Sequence, residues 1–455
     1  MSQALFSAAE LSAFTGGTWF DSVFPENTLA ISTDTRCDNH GKIFFALSGE
    51  KFDAHNFLTQ SVNSGCEALC IERNKCVGIP ADIPVLLVDD TLKAMQNCAA
   101  GHRKKFTELT LFGVTGSVGK TSVKEMLYAI CSQAAGAEQT LCTIGNTNNQ
   151  IGVAQNLLRL NSGHRFAVIE AGTSSPGEIA PLSKMMMPDG AIVNSIAPCH
   201  LEKLIDLDGV ATEKGDIFLA MNSLGTAVFP AECAGYNILQ QAAKKHKICT
   251  FGLNGRGDVS ARFISGDLAG SSFELTFPDG GKFLIFWQLT GPHNALNAAG
   301  AAALAYSAGI PASVIAQGLP QTMLPGMRMK KSIVNQVTYY NDAYNANPAS
   351  MRASIDLLAN AALPGRLILL LGGMRELGDS SSREHADLLA LIRKKLPDAA
   401  VITIGNEFAG MSTDHFNTPD DAGIFLNSIV RPSDTVFAKG SRGNAVEKAL
   451  PPEAR

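Results

Sequence analysis

The residues best equipped for chemistry lie in one stretch, Leu111–Lys124, which reads LFGVTGSVGKTSVK. A short apolar run ends in a turn carrying Gly116 and Gly119, and Lys120, Thr121 and Ser122 then open a helical pattern. In that order, backbone N–H groups of the Gly116–Gly119 turn point at phosphate oxygens, and the helix adds the positive end of its dipole. Lys120 can reach β- and γ-phosphates, and the Thr121 hydroxyl can ligate Mg²⁺. Thr115, Gly116, Ser117, Val118, Gly119, Lys120, Thr121 and Ser122 therefore form a candidate cradle for a nucleoside triphosphate. The general spacing G-x-x-x-x-G-K-[ST] would require glycine where Val114 stands, so the motif is the variant T-G-x-x-G-K-T.

Other candidates are weaker when taken singly. Glu170 ends the apolar run FAVIE, where a carboxylate at a strand end can hold Mg²⁺ or cap a helix. His200 follows GAIVNSIAPC and reads either as a structural hydrogen-bonder or as a ligand. Lys214, in ATEKGDIF, reads as an ordinary helix lysine. The segment GNTNNQIG offers Asn146, Asn148 and Asn149 to sugar hydroxyls or phosphates, or forms a turn. Asn294 and Asn297 share a helix face and can read an adenine edge or cap the helix. Arg328, Asp342, Asn345, Asn347, Arg375, Glu376, Lys439 and Arg442 lie in or beside strand-to-helix turns, where the cations could take a carboxylate or a phosphate.

The elements that must position these residues form an α/β chain. At 455 residues it exceeds a single core, and about three domains are expected. A net charge of −5 gives no sign of a nucleic-acid or membrane-surface binder. The N-terminal MSQALFSAAELSAF has no basic segment or long apolar run, so no signal peptide is expected, and no span of about 18 apolar residues predicts a membrane crossing. The ten cysteines form no C-x-x-C pair and read as reduced packing residues of a cytoplasmic protein. ISTDTR, KIFFALSG, ALCIE and PVLLVDD predict strands, followed by a helix over Thr91–Lys105 whose polar end, HRKKFTE, suits a domain boundary. TLFGVT, FAVIEAG, GAIVNSI, TAVFP and KICTFG predict buried parallel strands, VSARFISG, SFELTFPDGG and KFLIFWQL an antiparallel addition, and GPHNALNAAGAAALAYSAG a helix. RLILLLGG, AVITIG and TVFAKG predict a third, open parallel sheet.

In chain order TGSVGKTS, GNTNNQIG, IEAGTSSPGEI, PCHLE, EKGDIF, GPHNALNA, NDAYNANPASMRAS, GGMRELG and KGSRG follow one another. That order resembles the Mur ligases of peptidoglycan synthesis over nearly the whole chain. ISTDTRCDNHGKIFFALSGEKFDAHNF is similar to their UDP-binding domain, YNANPASMRAS and RELG resemble the branch that adds D-alanyl-D-alanine, and the DNPR motif of the diaminopimelate-adding branch is absent. The resemblance implies a UDP-muramoyl substrate-binding domain at residues 1–106, a central P-loop ATP-binding domain at 107–324 and a C-terminal Rossmann-like domain at 325–455. It implies a cytoplasmic, monomeric enzyme joining D-alanyl-D-alanine to UDP-N-acetylmuramoyl-tripeptide through an acyl phosphate, with ATP and Mg²⁺.

By the same resemblance, Lys120 neutralises the β/γ-phosphates, Thr121 and Glu170 hold one Mg²⁺, His200 helps hold a second, and Lys214 carries a metal-ligating carbamate. Asn294 meets adenine, Asp342 the ribose, and Arg328 the nucleotide when the third domain closes. Thr35 and Arg36 lie near the UDP, Asn146, Asn148 and Asn149 near the muramoyl diphosphate, and Glu376, Lys439 and Arg442 nearer the peptide and dipeptide. Ser174 and Ser175 replace an Asn-His pair, Gly373 replaces an aspartate, Ala54 a glycine, and Asn341 an aspartate. No phosphate or metal ligand is lost, so an active enzyme is expected. Another amide ligase of the same architecture, or a non-catalytic P-loop regulator, is the alternative.

Overall fold

The computed structural model describes residues 4–49, 52–76 and 78–455. Glu50 and Lys51, inside the N-terminal motif, and the first three residues lie outside the described residues. Three sheets follow one another along the chain. The first has five strands in the order Thr18–Trp19, Val85–Val88, Ala68–Glu72, Lys42–Phe45, Ala30–Ser32, all parallel except the first pairing.

The second sheet has nine strands, and its order decides the site. The strand Thr110–Thr115 lies between Gly190–Val193 and Phe166–Glu170, parallel to both. Three carboxyl ends therefore open on one point: the Gly116 turn, Glu170 and Asn194. Such continuous apolar runs are what a sheet covered on both faces requires, and Leu111, Phe112, Val114, Val168, Ile169, Ala191 and Ile192 are all buried. Thr226–Pro230 and Lys247–Leu253 continue the parallel part, Val259–Asp267 joins it parallel rather than antiparallel as expected, and Gly270–Thr276 and Lys282–Trp287 add the antiparallel edge. The short strand Thr140–Cys142, which lacks an apolar run long enough to announce it, forms the opposite edge.

The alanine-rich helix Pro292–Ser307 packs against the P-loop helix Lys120–Ala135 and the strand Lys247–Leu253. Small residues permit this approach: a Cβ on Gly300 would stand 2.9 Å from Ile192 Cδ1 and 3.0 Å from the Phe251 ring. The third sheet has six strands rather than the three expected. Lys330–Val334 and Val337–Asn341 form a hairpin on one edge and Asp414–Phe416 closes the other. The first of these alternates exposed and half-buried residues and carries two lysines, so it has no apolar signature.

The polar stretch expected to mark a boundary exposes Lys104, Lys105, Thr107 and Glu108 but turns two residues inward. His102 and Arg103 are buried. The Arg103 guanidinium donates to Asp189 Oδ2 at 2.9 Å, to Phe106 O at 2.7 Å and to Met186 O at 3.2 Å, at the end of the helix Ile179–Met186. A cation there satisfies helix carbonyls left without partners. The apolar core is continuous across this joint, running from Phe6, Phe45 and Leu86 to Leu111, Ile169 and Phe229. The third sheet buries separate cores. Replacing Arg103 with alanine strands buried carbonyls and half of an ion pair, and is expected to cost about 3 kcal/mol; a lowered Tm in calorimetry checks it.

Candidate active site

The P-loop turn is held from the neighbouring strand. The Ser117 N–H donates to Ser195 O at 2.9 Å, and the Val118 N–H to Ser195 Oγ at 2.9 Å. Asn194 Nδ2 donates to Val118 O and to Asn297 Oδ1, each at 3.0 Å. Two of the amides expected to face phosphate are thus spent on Ser195. The N–H groups free of the helix ladder are those of its first turn, Lys120–Ser122, which the dipole makes an anion site. Gly119 needs to be glycine twice over: its φ is +78°, and a Cβ would stand 2.6 Å from Asn194 Nδ2 and 2.8 Å from Asn297 Oδ1. Lys120 Nζ folds back to donate to Gly116 O at 2.8 Å, and Thr115 is buried beneath the turn. Asn194 and Ser195 were missed in the sequence because nothing in GAIVNSI distinguishes them from a strand end.

Glu170 is buried at its strand end, with Oε1 accepting from Asn148 Nδ2 at 2.8 Å. Its Oε2 is buried and, among the described residues, has no hydrogen-bond partner. Half of this carboxylate is positioned and half is unsatisfied, which suits a cation or its water. Among the described residues no three His, Cys, Asp or Glu side chains sit close enough to hold a metal by themselves. That donor set fits Mg²⁺, which takes one or two carboxylates and completes its shell with water and phosphate oxygens. Asn148 is engaged by Glu170, Asn149 caps the helix Gln150–Leu157, and Asn146 is exposed on the loop.

Lys214, which read as an ordinary helix lysine, is 1% exposed in the helix Leu207–Gly215. Burial, reinforced by the nearby Lys120 charge, pulls its ammonium down to about 8. Its neighbour Glu213 fixes the helix by accepting N–H bonds from Gly177, Glu178 and Ile179. Glu178 in turn accepts from the Ser174 N–H at 2.7 Å, the Ser175 N–H at 3.2 Å and the Thr173 hydroxyl at 3.1 Å. The two replaced positions therefore stand on a pinned backbone, and Ser175 Oγ accepts from Lys203 at 2.9 Å. Cys199 donates to Ser117 Oγ at 3.3 Å, which brings the His200 segment against the P-loop.

Third-domain side chains reach this centre. Arg328 lies over the Tyr344 ring, 3.7 Å from its centroid, and donates to Thr121 Oγ1 at 3.2 Å. Glu376 Oε2 pairs with His200 Nδ1 at 2.8 Å. Asp342 accepts from the Met329 N–H and pairs with Lys439, itself buried, and both face His293 beside Asn294. Lys439 is thus tied to Asp342 rather than open to a peptide, because a buried ammonium requires a counter-charge. Asn294 is buried and donates to Thr290 O at 2.8 Å. Arg442 pairs with Glu447 at 2.6 Å. Thr35 and Arg36 stand apart, on the first-sheet loop whose Thr33 accepts from Gln155 at 3.3 Å, and Arg36 is paired with Asp34. Gly373 leaves room that Glu407 fills: a Cβ there would lie 2.4 Å from Glu407 Oε2.

The chain matches the Mur ligase middle domain over residues 114–305 and the Mur ligase glutamate ligase domain over residues 327–442. It is 37% identical over 432 residues to the UDP-N-acetylmuramoyl-tripeptide–D-alanyl-D-alanine ligase of Haemophilus influenzae, covering 92% of each chain. Its identity to the Escherichia coli ligase of the same name is 35% over 430 residues, again 92% of each. The crystal structure of MurF from Acinetobacter baumannii superposes with a TM-score of 0.90 at 33% identity, covering 99% of this chain and 98% of that one. On these matches, which span nearly the whole chain, the chain belongs to the Mur ligase family.

Proposed function

We propose that this protein joins D-alanyl-D-alanine to UDP-N-acetylmuramoyl-tripeptide at the expense of ATP, as a cytoplasmic monomer in peptidoglycan synthesis. The observation that carries the reading is the convergence on the P-loop of Glu170, Lys214 and the third-domain groups Arg328 and Glu376, in a chain 37% identical to a ligase of that name. A regulator that only bound nucleotide would have no need for a second α/β domain reaching the phosphate site. Residues 1–106 serve the UDP-muramoyl substrate, 107–324 the ATP and 325–455 the closure of the cleft.

The γ-phosphoryl group passes from ATP to the terminal carboxylate of the tripeptide, giving an acyl phosphate and ADP. The dipeptide amine then attacks the carbonyl carbon, and the tetrahedral adduct expels phosphate. Both reactants of the first step are anions, so stabilisation comes chiefly from cations and oriented dipoles. Lys120 and the first-turn N–H groups take the phosphates, and Arg328 supplies a further cation from the third domain. Thr121 and Glu170, with His200 and a carbamylated Lys214, would hold Mg²⁺, which when bound screens the negative charge of the phosphates. Lys214 suits carbamylation because its amine loses its proton readily: the neutral nitrogen adds CO₂ and becomes an anion. Thr35 and Arg36 face the UDP end, with Asn146 nearer the diphosphate. Closure of the third domain excludes water from the acyl phosphate.

Phosphate release that requires ATP, UDP-N-acetylmuramoyl-tripeptide and D-alanyl-D-alanine together, with a product heavier by the dipeptide residue, is the expected result. Release with another amine would move the acceptor, and independence from any UDP-muramoyl substrate would sink the reading. Lys120→Ala is expected to lower turnover by about 10²-fold or more, measured as kcat for phosphate release. Lys214→Ala is expected to be inactive and partly restored by added acetate or formate, which supply the missing carboxylate; full activity without either would remove the carbamate.

A further inference from the structure

Among the described residues, a His–carboxylate contact between the third sheet's loops and the P-loop neighbourhood joins two conformationally unusual residues. His200 has φ +52° and Glu376 φ +64°, and neither is glycine. Residues held at positive φ persist where surrounding structure over-determines them, and they cluster at functional sites. The loop that carries Glu376 is pinned on its N-terminal side. The Met374 N–H donates to the buried His385 Nε2 at 2.8 Å, and the Arg375 N–H to Ser441 Oγ at 3.0 Å. Just beyond it, Gly378 has φ +53°. The backbone therefore aims the carboxylate across the cleft.

There it meets the His200 ring and the field of two lysines. His200, Lys120 and Lys203 all hold the Glu376 carboxyl below its ordinary range, yet its side chain is 60% exposed. An anion open to the cleft beside the P-loop lysine stands where the reacting groups of the substrates must come together. ATP brings phosphates, which take Lys120. The UDP-linked peptide brings a carboxylate, which becomes an acyl phosphate. Both are negative and neither can pair with Glu376. The dipeptide brings its positive charge on the nitrogen that will attack.

Resting on the ligase reading above, we propose that Glu376 receives the ammonium group of the acceptor dipeptide, and that His200 occupies this carboxylate while no acceptor is bound. The carboxylate then does two things: it draws the ammonium to the acyl phosphate, taking one proton from the nitrogen as that nitrogen attacks the carbonyl carbon and phosphate leaves, and it discriminates against acceptors without a charged nitrogen. Its place on the third domain makes acceptor binding depend on that domain's closure.

The experiment compares the wild type with Glu376→Gln and Glu376→Asp. Phosphate release is followed against D-alanyl-D-alanine, and in parallel hydroxylamine, uncharged at neutral pH, replaces the dipeptide and traps the acyl phosphate as a hydroxamate. Loss of one charge-assisted contact is expected to raise the dipeptide KM of the Gln variant about tenfold or more. That rise should exceed any loss in hydroxamate formation by a similar factor, and Asp should recover part of it. An unchanged dipeptide KM beside an active wild type overturns this inference alone, as does an equal loss with hydroxylamine, which would mean that Glu376 acts on phosphoryl transfer or on folding. A wild type that shows no dipeptide-dependent release overturns the ligase reading and this inference with it.

Discussion

The grip of Asn194 and Ser195 on the P-loop turn is the constraint from which the rest of the site follows. A glycine turn left alone samples many shapes and loses little by doing so. Here four hydrogen bonds from Asn194 and Ser195, with Asn194 itself held by Asn297, leave it one shape. That shape presents the first turn of the Lys120 helix to an anion and leaves Lys120 resting on Gly116 O until one arrives. The grip exists only because the strand Gly190–Val193 lies beside the P-loop strand. Sheet order, more than any single ligand, builds the phosphate site.

Around that turn the fold gathers charge that it does not fully neutralise. Lys214 is buried next to another cation, Glu170 keeps one oxygen without a partner among the described residues, and Glu376 projects a carboxylate to His200. The first two arrangements cost folding energy in the absence of ligands. The cost makes sense for a centre whose ligands are themselves highly charged, since binding them relieves it. Lys124 follows the opposite rule. It is buried, but it is fully paired with Glu125 and with Thr143 O at 3.1 Å, and Thr143 Oγ1 receives the Glu170 N–H at 2.9 Å. It belongs to the scaffold under the carboxylate.

The three sheets are joined unequally. A continuous apolar core and the buried Arg103 weld the first to the second. The third meets the second through polar contacts such as Arg328–Thr121 and Glu376–His200, with Leu268 packing against the third domain's core. Polar contacts exchange readily with water and substrate, whereas a shared apolar core does not, so relative motion belongs to the third domain. The residues it carries into the cleft are the ones able to sense whether the site is filled.

Much of this was legible in the residues alone. TGSVGKTS announced a phosphate site, FAVIE put an acid at a strand end, and the apolar runs gave the parallel strands of the central sheet, because glycine turns and buried strands leave local signatures. The hairpin Lys330–Asn341 and the strands Thr140–Cys142 and Asp414–Phe416 escaped notice, since short or half-exposed edge strands carry no such pattern. The environment of Lys214, the role of Asn194 and Ser195, the pairing of Lys439 with Asp342 and the meeting of His200 with Glu376 could not be read from spacing. The last of these pairs is separated by more than 170 positions in the chain. The chain order of motifs determines what chemistry the protein can do; which groups touch, and which charges lose their water, depends on sheet order and burial, and only the folded chain supplies those.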